Sequence, residues 1–143
     1  MELTLAQANQ IIAAALQRSS EAGYQPMAVV VLDAAGHIKS AQRQEGASMF
    51  RIDIASGKAW ASIAMGAASR VLTQRAKDLP AFFGALASTG HGKFIPQTGA
   101  VLIKDADGKV IGAAGASGGT GDEDEAVCAH GIEQAGFTAD AKP

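Results

Sequence analysis

AVLIKDADGKVIGAAGAS, residues 100–117, is the stretch on which the fold turns. AVLIK (100–104) is apolar up to its lysine, DADG (105–108) is turn chemistry, and KVIGAAGAS (109–117) resumes an apolar run. That pattern predicts two strands joined by a tight turn. The same design occurs earlier, where MAVVVLD (27–33) runs into DAAG (33–36) and then the more polar HIKSAQRQ (37–44). Asp33 and Gly36 match Asp105 and Gly108. A glycine at that place supplies positive φ after a type I turn, which predicts two bulged hairpins in one sheet. Residues 27–33 are apolar up to their final aspartate, as in a strand covered on both faces.

Helical signals surround these hairpins. Thr4 and Gln7 form a T-x-x-Q capping box. Ala8, Ile11, Ile12, Ala15 and Leu16 then recur at helical spacing, and Gly23 fits the residue past the helix end. Residues 49–66 read as a helix with Ile52, Ala55, Ala59 and Ile63 on one apolar line. Thr73 is placed to cap a further helix through Asp78, and Pro80 to open a short one, PAFFGALAS. STGHGKFIPQTG (88–99) is a loop long enough to suspect function. A last helix starts near Asp122 and ends at Gly136, and residues 138–143 read as a frayed tail. The order α-β-β-α-α-β-β-α predicts an α+β fold. It is a single domain, 1–143, with one antiparallel sheet of about five strands flanked by helices.

Composition narrows the partners. A net charge of −2 provides no basic footprint for nucleic acid. One cysteine excludes an internal disulfide framework. No apolar run reaches membrane-spanning length and the N-terminus lacks a signal-peptide pattern, so a soluble cytoplasmic protein is expected. Of the residues, 48% are hydrophobic but only 5% aromatic. Such small side chains imply close backbone packing.

GASGGTGDEDEAVCAHG (115–131) has three textures of a site. As a phosphate loop it fails, because Asp122, Glu123, Asp124 and Glu125 replace the lysine and hydroxyl and would repel a polyphosphate. Acids there complement a helix dipole instead. As a metal site it lacks ligand spacing, since Asp122 and His130 lie about 12 Å apart along a helix. As a nucleophile, Cys128 points away from His130, two residues on, and reads as a small core residue. The glycine-rich run from Gly112 remains. It is either a strand closely approached by a helix or a floor and turn that admit a ligand.

This string resembles the C-terminal signature of the GlcG/HbpS-type family, which includes the C-terminal domain of PduO-type proteins. Gly112, Gly115, Ser117, Gly118, Asp124, Ala126 and Gly131 fit the family pattern. VVLDAAGHIKSAQRQEGA resembles its V-x-D-x-x-G-H hairpin and R-x-D-G element, with Glu45 in place of the aspartate. IASGKAWAS resembles its A-x-x-K-A helix, with Lys58 at the lysine. Gln97-Thr98-Gly99-Ala100 departs from the family's G-G-x-P. The resemblance implies a profilin-like α/β/α fold and dimer-based homo-oligomers, up to octamers. For some members it implies haem.

Two functions compete. Haem or a related tetrapyrrole needs an axial ligand, apolar walls and cations for its propionates. His91 is the expected ligand by type, with Lys93 two residues away. His37, at a hairpin turn, and His130, on a helix, read as surface residues. The alternative is an enzyme or accessory protein for a small organic or aromatic acid in catabolism. There Lys58 and Arg43 would hold a carboxylate, Asp124 or Glu45 would act as base, and nearby glycine N–H groups would stabilise negative charge, while Arg43, Lys58, Ser117 and Gly118 stand with His91 and Lys93 as candidate cofactor contacts. A solvated surface or an intersubunit ion pair would account for Lys58 and Arg43 equally.

Overall fold

A computed structural model describes residues 1–142. Its elements run α1 (Leu5–Ala22), β1 (Ala28–Asp33), β2 (Ile38–Arg43), α2 (Phe50–Met65), α3 (Ser69–Asp78), α4 (Pro80–Thr89), β3 (Ala100–Lys104), β4 (Val110–Ser117), α5 (Gly121–Gln134) and β5 (Thr138–Asp140). The five strands form one sheet in the order β2-β1-β4-β3-β5, and every neighbouring pair is antiparallel.

Both hairpins form as the matching turns require. Asp33 Oδ1 accepts from the backbone N–H groups of Ala35 and His37, each at 3.0 Å. Asp105 Oδ1 accepts from those of Asp107 and Lys109 at the same distance. Gly36 (φ 85°) and Gly108 (φ 79°) close the turns in the left-handed region. The register slips once in each hairpin, at Val31/Leu32 and at Ile103/Lys104. Turn chemistry is local, and that is why it was readable.

Helices cover both faces. On one face Val29, Val31, Val101, Ile103, Ala114 and Ala116 pack with Ile11, Ile12, Val127 and Ile132 of α1 and α5. On the other, Val30, Leu32, Ala100, Leu102 and Ala113 meet Ala55 and Ala59 of α2. A strand between two apolar layers has no polar side, so β1 is buried along almost its whole length. A third cluster, Ala61, Leu72, Phe83 and Phe94, joins α3 and α4 to the far side of α2. A methyl group on Gly115 would collide with the Ala55 carbonyl oxygen. Gly115 is therefore a seat for α2, whereas Gly112 and Gly118 are closely approached by the Leu32 and Pro26 carbonyl oxygens, so protein backbone rather than a ligand fills the space beside these glycines.

Four expectations need correction. Residues 138–140 are not frayed: Thr138, Ala139 and Asp140 pair with Lys104, Ile103 and Leu102 as a fifth strand. Lys104 Nζ holds Asp140 Oδ2 at 2.6 Å, and this ion pair fastens the strand. Pro143 lies outside the described residues. The order α-β-β-α-α-β-β-α counts two helices between the hairpins, but all three helical segments read there form separately, with Leu79 alone dividing α3 from α4. Thr73 does not cap α3. The helix begins at Ser69, and the Thr73 hydroxyl donates to the Ser69 carbonyl at 3.0 Å. The last helix ends at Gln134, short of Gly136.

Candidate functional site

Two places bring together residues singled out from the sequence. The first is buried. Lys58 is 6% exposed and Asp124 1% exposed. Lys58 Nζ donates to Asp124 Oδ2 and to the Ala116 carbonyl, each at 3.1 Å. Asp124 Oδ1 accepts from the Gly119 N–H at 3.0 Å. Gly99 leaves room for the ammonium, since a methyl group there would lie 2.7 Å from Nζ. Lys58 is thus neither solvated nor part of an intersubunit pair, and both oxygens of Asp124 are occupied. The pair ties α2, the end of β4 and the start of α5 to one another.

The other members of the acid-base set lie apart from it. Arg43 is exposed, and its guanidinium donates to the Ala47 carbonyl at 2.6 Å. Glu45 is exposed in a turn. Ser117 is buried, and its hydroxyl accepts from Arg51 at 3.2 Å. Gly118 packs against Pro26 and Met27, leaving no open cradle. Among the remaining acids, Thr120 and Glu123 form a capping box. Asp122 and Glu125 grip Arg70. These bonds, Glu125 first and Asp122 next, raise the Arg70 pKa further. Cys128 is fully buried, and burial pushes its thiol far above the ordinary range. Among the described residues no group of three or more His, Cys, Asp or Glu could hold a metal ion.

The second place is a cleft of about 630 Å³ on the α2 side, within the range usual for small-molecule sites. Its floor is the outer face of α2: Phe50, Asp53, Ser56, Gly57 and Trp60. Those positions follow helical spacing on a line distinct from the sheet-facing Ala55 and Ala59. One wall is the first hairpin turn, Ala35 to Ile38, and the other is Gly92–Lys93. Gly36 rests on the Trp60 ring, where a methyl group would meet it at 3.6 Å. Phe94 meets the same indole edge-on, with centroids 6.5 Å apart. The loop is held in place: the Ile95 N–H donates to the Gly57 carbonyl at 3.3 Å. At its far end Ser69 Oγ accepts from the N–H groups of Gly99 and Ala100 at 2.9 and 2.8 Å.

His37, exposed at its hairpin turn as the sequence suggested, lines this cleft, and His91 does not. His91 is exposed, in the left-handed region at φ 53°, beside the lining residues Gly92 and Lys93 but outside the lining itself. His130 lies on α5, 3.4 Å from an Arg18 nitrogen. Phe50, Asp53, Ser56 and Trp60 were not singled out from the sequence. Their signal was the second helical line on α2, masked by the stronger alanine line facing the sheet.

This architecture defines a class: an α/β/α sandwich with one antiparallel sheet and a half-apolar cleft on its outer helix. The chain belongs to the HbpS-like family, whose model, described as haem degrading protein HbpS-like, matches residues 3–133. It is 29% identical over 124 residues to the corrinoid adenosyltransferase PduO of Citrobacter freundii. That match covers 87% of this chain but only 36% of PduO. The haem complex of PduOC superposes with a TM-score of 0.86 at 26% identity, covering 98% of this chain and 99% of that one. HbpS superposes at 0.80 with 23% identity over 93% and 89%, a likeness of fold.

Proposed function

We propose that the chain binds haem or a closely related tetrapyrrole in the α2 cleft. The observation that carries this reading is one lining that combines an imidazole, His37, a cation, Lys93, and the apolar side chains of Ile38, Phe50 and Trp60. These are the parts a haem site needs: an axial donor, a hydrophobic seat and a partner for propionates. Ile38 and Phe50 are 58% and 59% exposed, an apolar surface that a flat ligand would cover. The haem complex of the structurally similar PduOC supports the choice of ligand. Bound here, the group would supply an iron for axial ligation, with His37 as donor and Lys93 holding a propionate. Asp53 is the one lining residue whose charge works against those propionates.

Homo-oligomerisation in the cytoplasm belongs to the same proposal. The exposed Met49, Leu79 and Phe82 support self-association. Catalysis on a small organic acid has weaker support, because Lys58 and Asp124 are bound to each other and Arg43 and Glu45 lie elsewhere. The adenosyltransferase activity named for PduO is not carried over, since this chain spans about a third of that protein.

Trp60 is the chain's single tryptophan and lines the cleft, which makes it a built-in reporter. Haemin titration should quench its emission saturably at one equivalent per chain. Quenching that never saturates would remove the assignment.

A further inference from the structure

We propose that a groove along α3 is a second binding site, taking a small polyol that carries one anionic group, a phosphate or a carboxylate. The groove holds about 450 Å³ and shares no lining residue with the α2 cleft. Arg70, Thr73, Gln74 and Lys77 line it at positions i, i+3, i+4 and i+7, one face of the helix. Arg75 and Thr98 complete its polar lining. Its charged lining residues are all cations, in a chain whose net charge is −2.

The bonds already made decide what this lining still offers. Arg70 is committed: Nε and Nη2 hold Glu125, and Nη2 also holds Asp122. Two carboxylates thus offset its charge. Among the described residues Arg75 and Lys77 have no carboxylate within 4.0 Å, so the uncompensated positive charge lies at the C-terminal end of α3. The hydroxyls offer the opposite chemistry. Thr73 donates its only hydroxyl proton to the Ser69 carbonyl, so the 2.9 Å contact between Thr73 and Thr98 takes the Thr98 proton. Thr98 Oγ1 is left with lone pairs alone. Gln74 turns its NH2 group to Asp78 at 3.1 Å, which leaves its carbonyl oxygen free. A bare oxyanion would satisfy the cations and leave both acceptors empty. A ligand that satisfies all of them carries hydroxyl donors beside its anionic group. Gln74 and Lys77 lie about 5 Å apart along the helix axis, the length of a chain of a few carbons. Thr98 belongs to Gln97-Thr98-Gly99-Ala100, where this chain departs from the family's glycine-rich pattern, so this acceptor belongs to the chain and not to the fold at large.

The test titrates the full chain with ribose 5-phosphate, gluconate, inorganic phosphate and ribose by calorimetry. Ribose 5-phosphate or gluconate should bind saturably at one equivalent, and the tighter of the two names the anionic group. Inorganic phosphate and ribose should each bind at least tenfold more weakly than that ligand. Arg75→Ala and Lys77→Ala should each weaken the preferred ligand about two- to fivefold at low salt, the scale of an exposed charge pair. That loss should shrink at high ionic strength. Thr98→Val keeps the shape and removes the acceptor. It should weaken the preferred ligand about two- to tenfold, the scale of one hydrogen bond, and leave inorganic phosphate unchanged. Lys109→Ala, a cation outside the groove, should change nothing. Inorganic phosphate that binds as tightly as ribose 5-phosphate reduces the groove to a plain anion patch and overturns the proposal. So does polyol binding indifferent to Thr98→Val or to both charge removals, or no saturable binding of any probe.

Discussion

Lys58→Met should be among the most damaging single substitutions in this chain. The change keeps the length and apolar stem of the side chain and removes only the ammonium. Asp124, 1% exposed, then retains one partner, the Gly119 N–H. The Ala116 carbonyl loses its contact with Nζ. Removing one partner of a buried pair costs about 3–5 kcal/mol, mostly from the charge left behind. A domain of this size has a total stability of about 5–15 kcal/mol. The loss therefore corresponds to a fall in Tm on the order of 10 °C. The double variant Lys58→Met/Asp124→Leu removes the stranded charge as well, and should recover part of the loss. Urea unfolding followed by circular dichroism would give all four corners of the cycle. If Lys58→Met costs under about 1 kcal/mol, or if the two substitutions simply add, the pair is not the lock described here.

Three further outcomes follow. Gly115→Ala should leave little soluble, folded protein, because its methyl group meets the backbone of α2 and no side chain can yield; thermal melts of Gly115→Ala and of the surface control Gly84→Ala separate this from a general intolerance. Asp140 is held below its usual range by its hydrogen bond from Lys104. Its stabilisation of β5 is thus present above about pH 4 and is lost as pH falls through the lowered folded value. The stability gap between wild type and Asp140→Asn, measured in urea, should shrink on acidification. Cys128 should resist thiol reagents in the native protein and react at once in denaturant, since burial disfavours its thiolate.

Much of the fold could be read locally. Asp33-x-x-Gly36 and Asp105-x-x-Gly108 contain their own turn instructions, and the Ile52–Ala55–Ala59–Ile63 line contains the sheet-facing side of α2. The strand at 138–140 was hidden because three residues carry almost no periodic signal. Its pairing depends on Lys104, far away in sequence. The site was harder still. The family signature pointed to Lys58 and Asp124 separately, but only the fold shows them bonded to each other across 66 positions. The cleft draws on a turn, a helix face and a loop. No single motif carries all three, and His37, exposed at its hairpin turn as expected, stands out only because it shares the cleft lining with Trp60 and Phe50.

The central claim is that a tetrapyrrole sits in the α2 cleft with His37 as its axial donor. The most direct measurement is the Soret spectrum of haemin-loaded wild type beside His37→Ala and His91→Ala. The expected result is a shifted, saturable band in wild type and His91→Ala that is lost or moved in His37→Ala. A band that survives His37→Ala unchanged and disappears in His91→Ala would contradict the assignment.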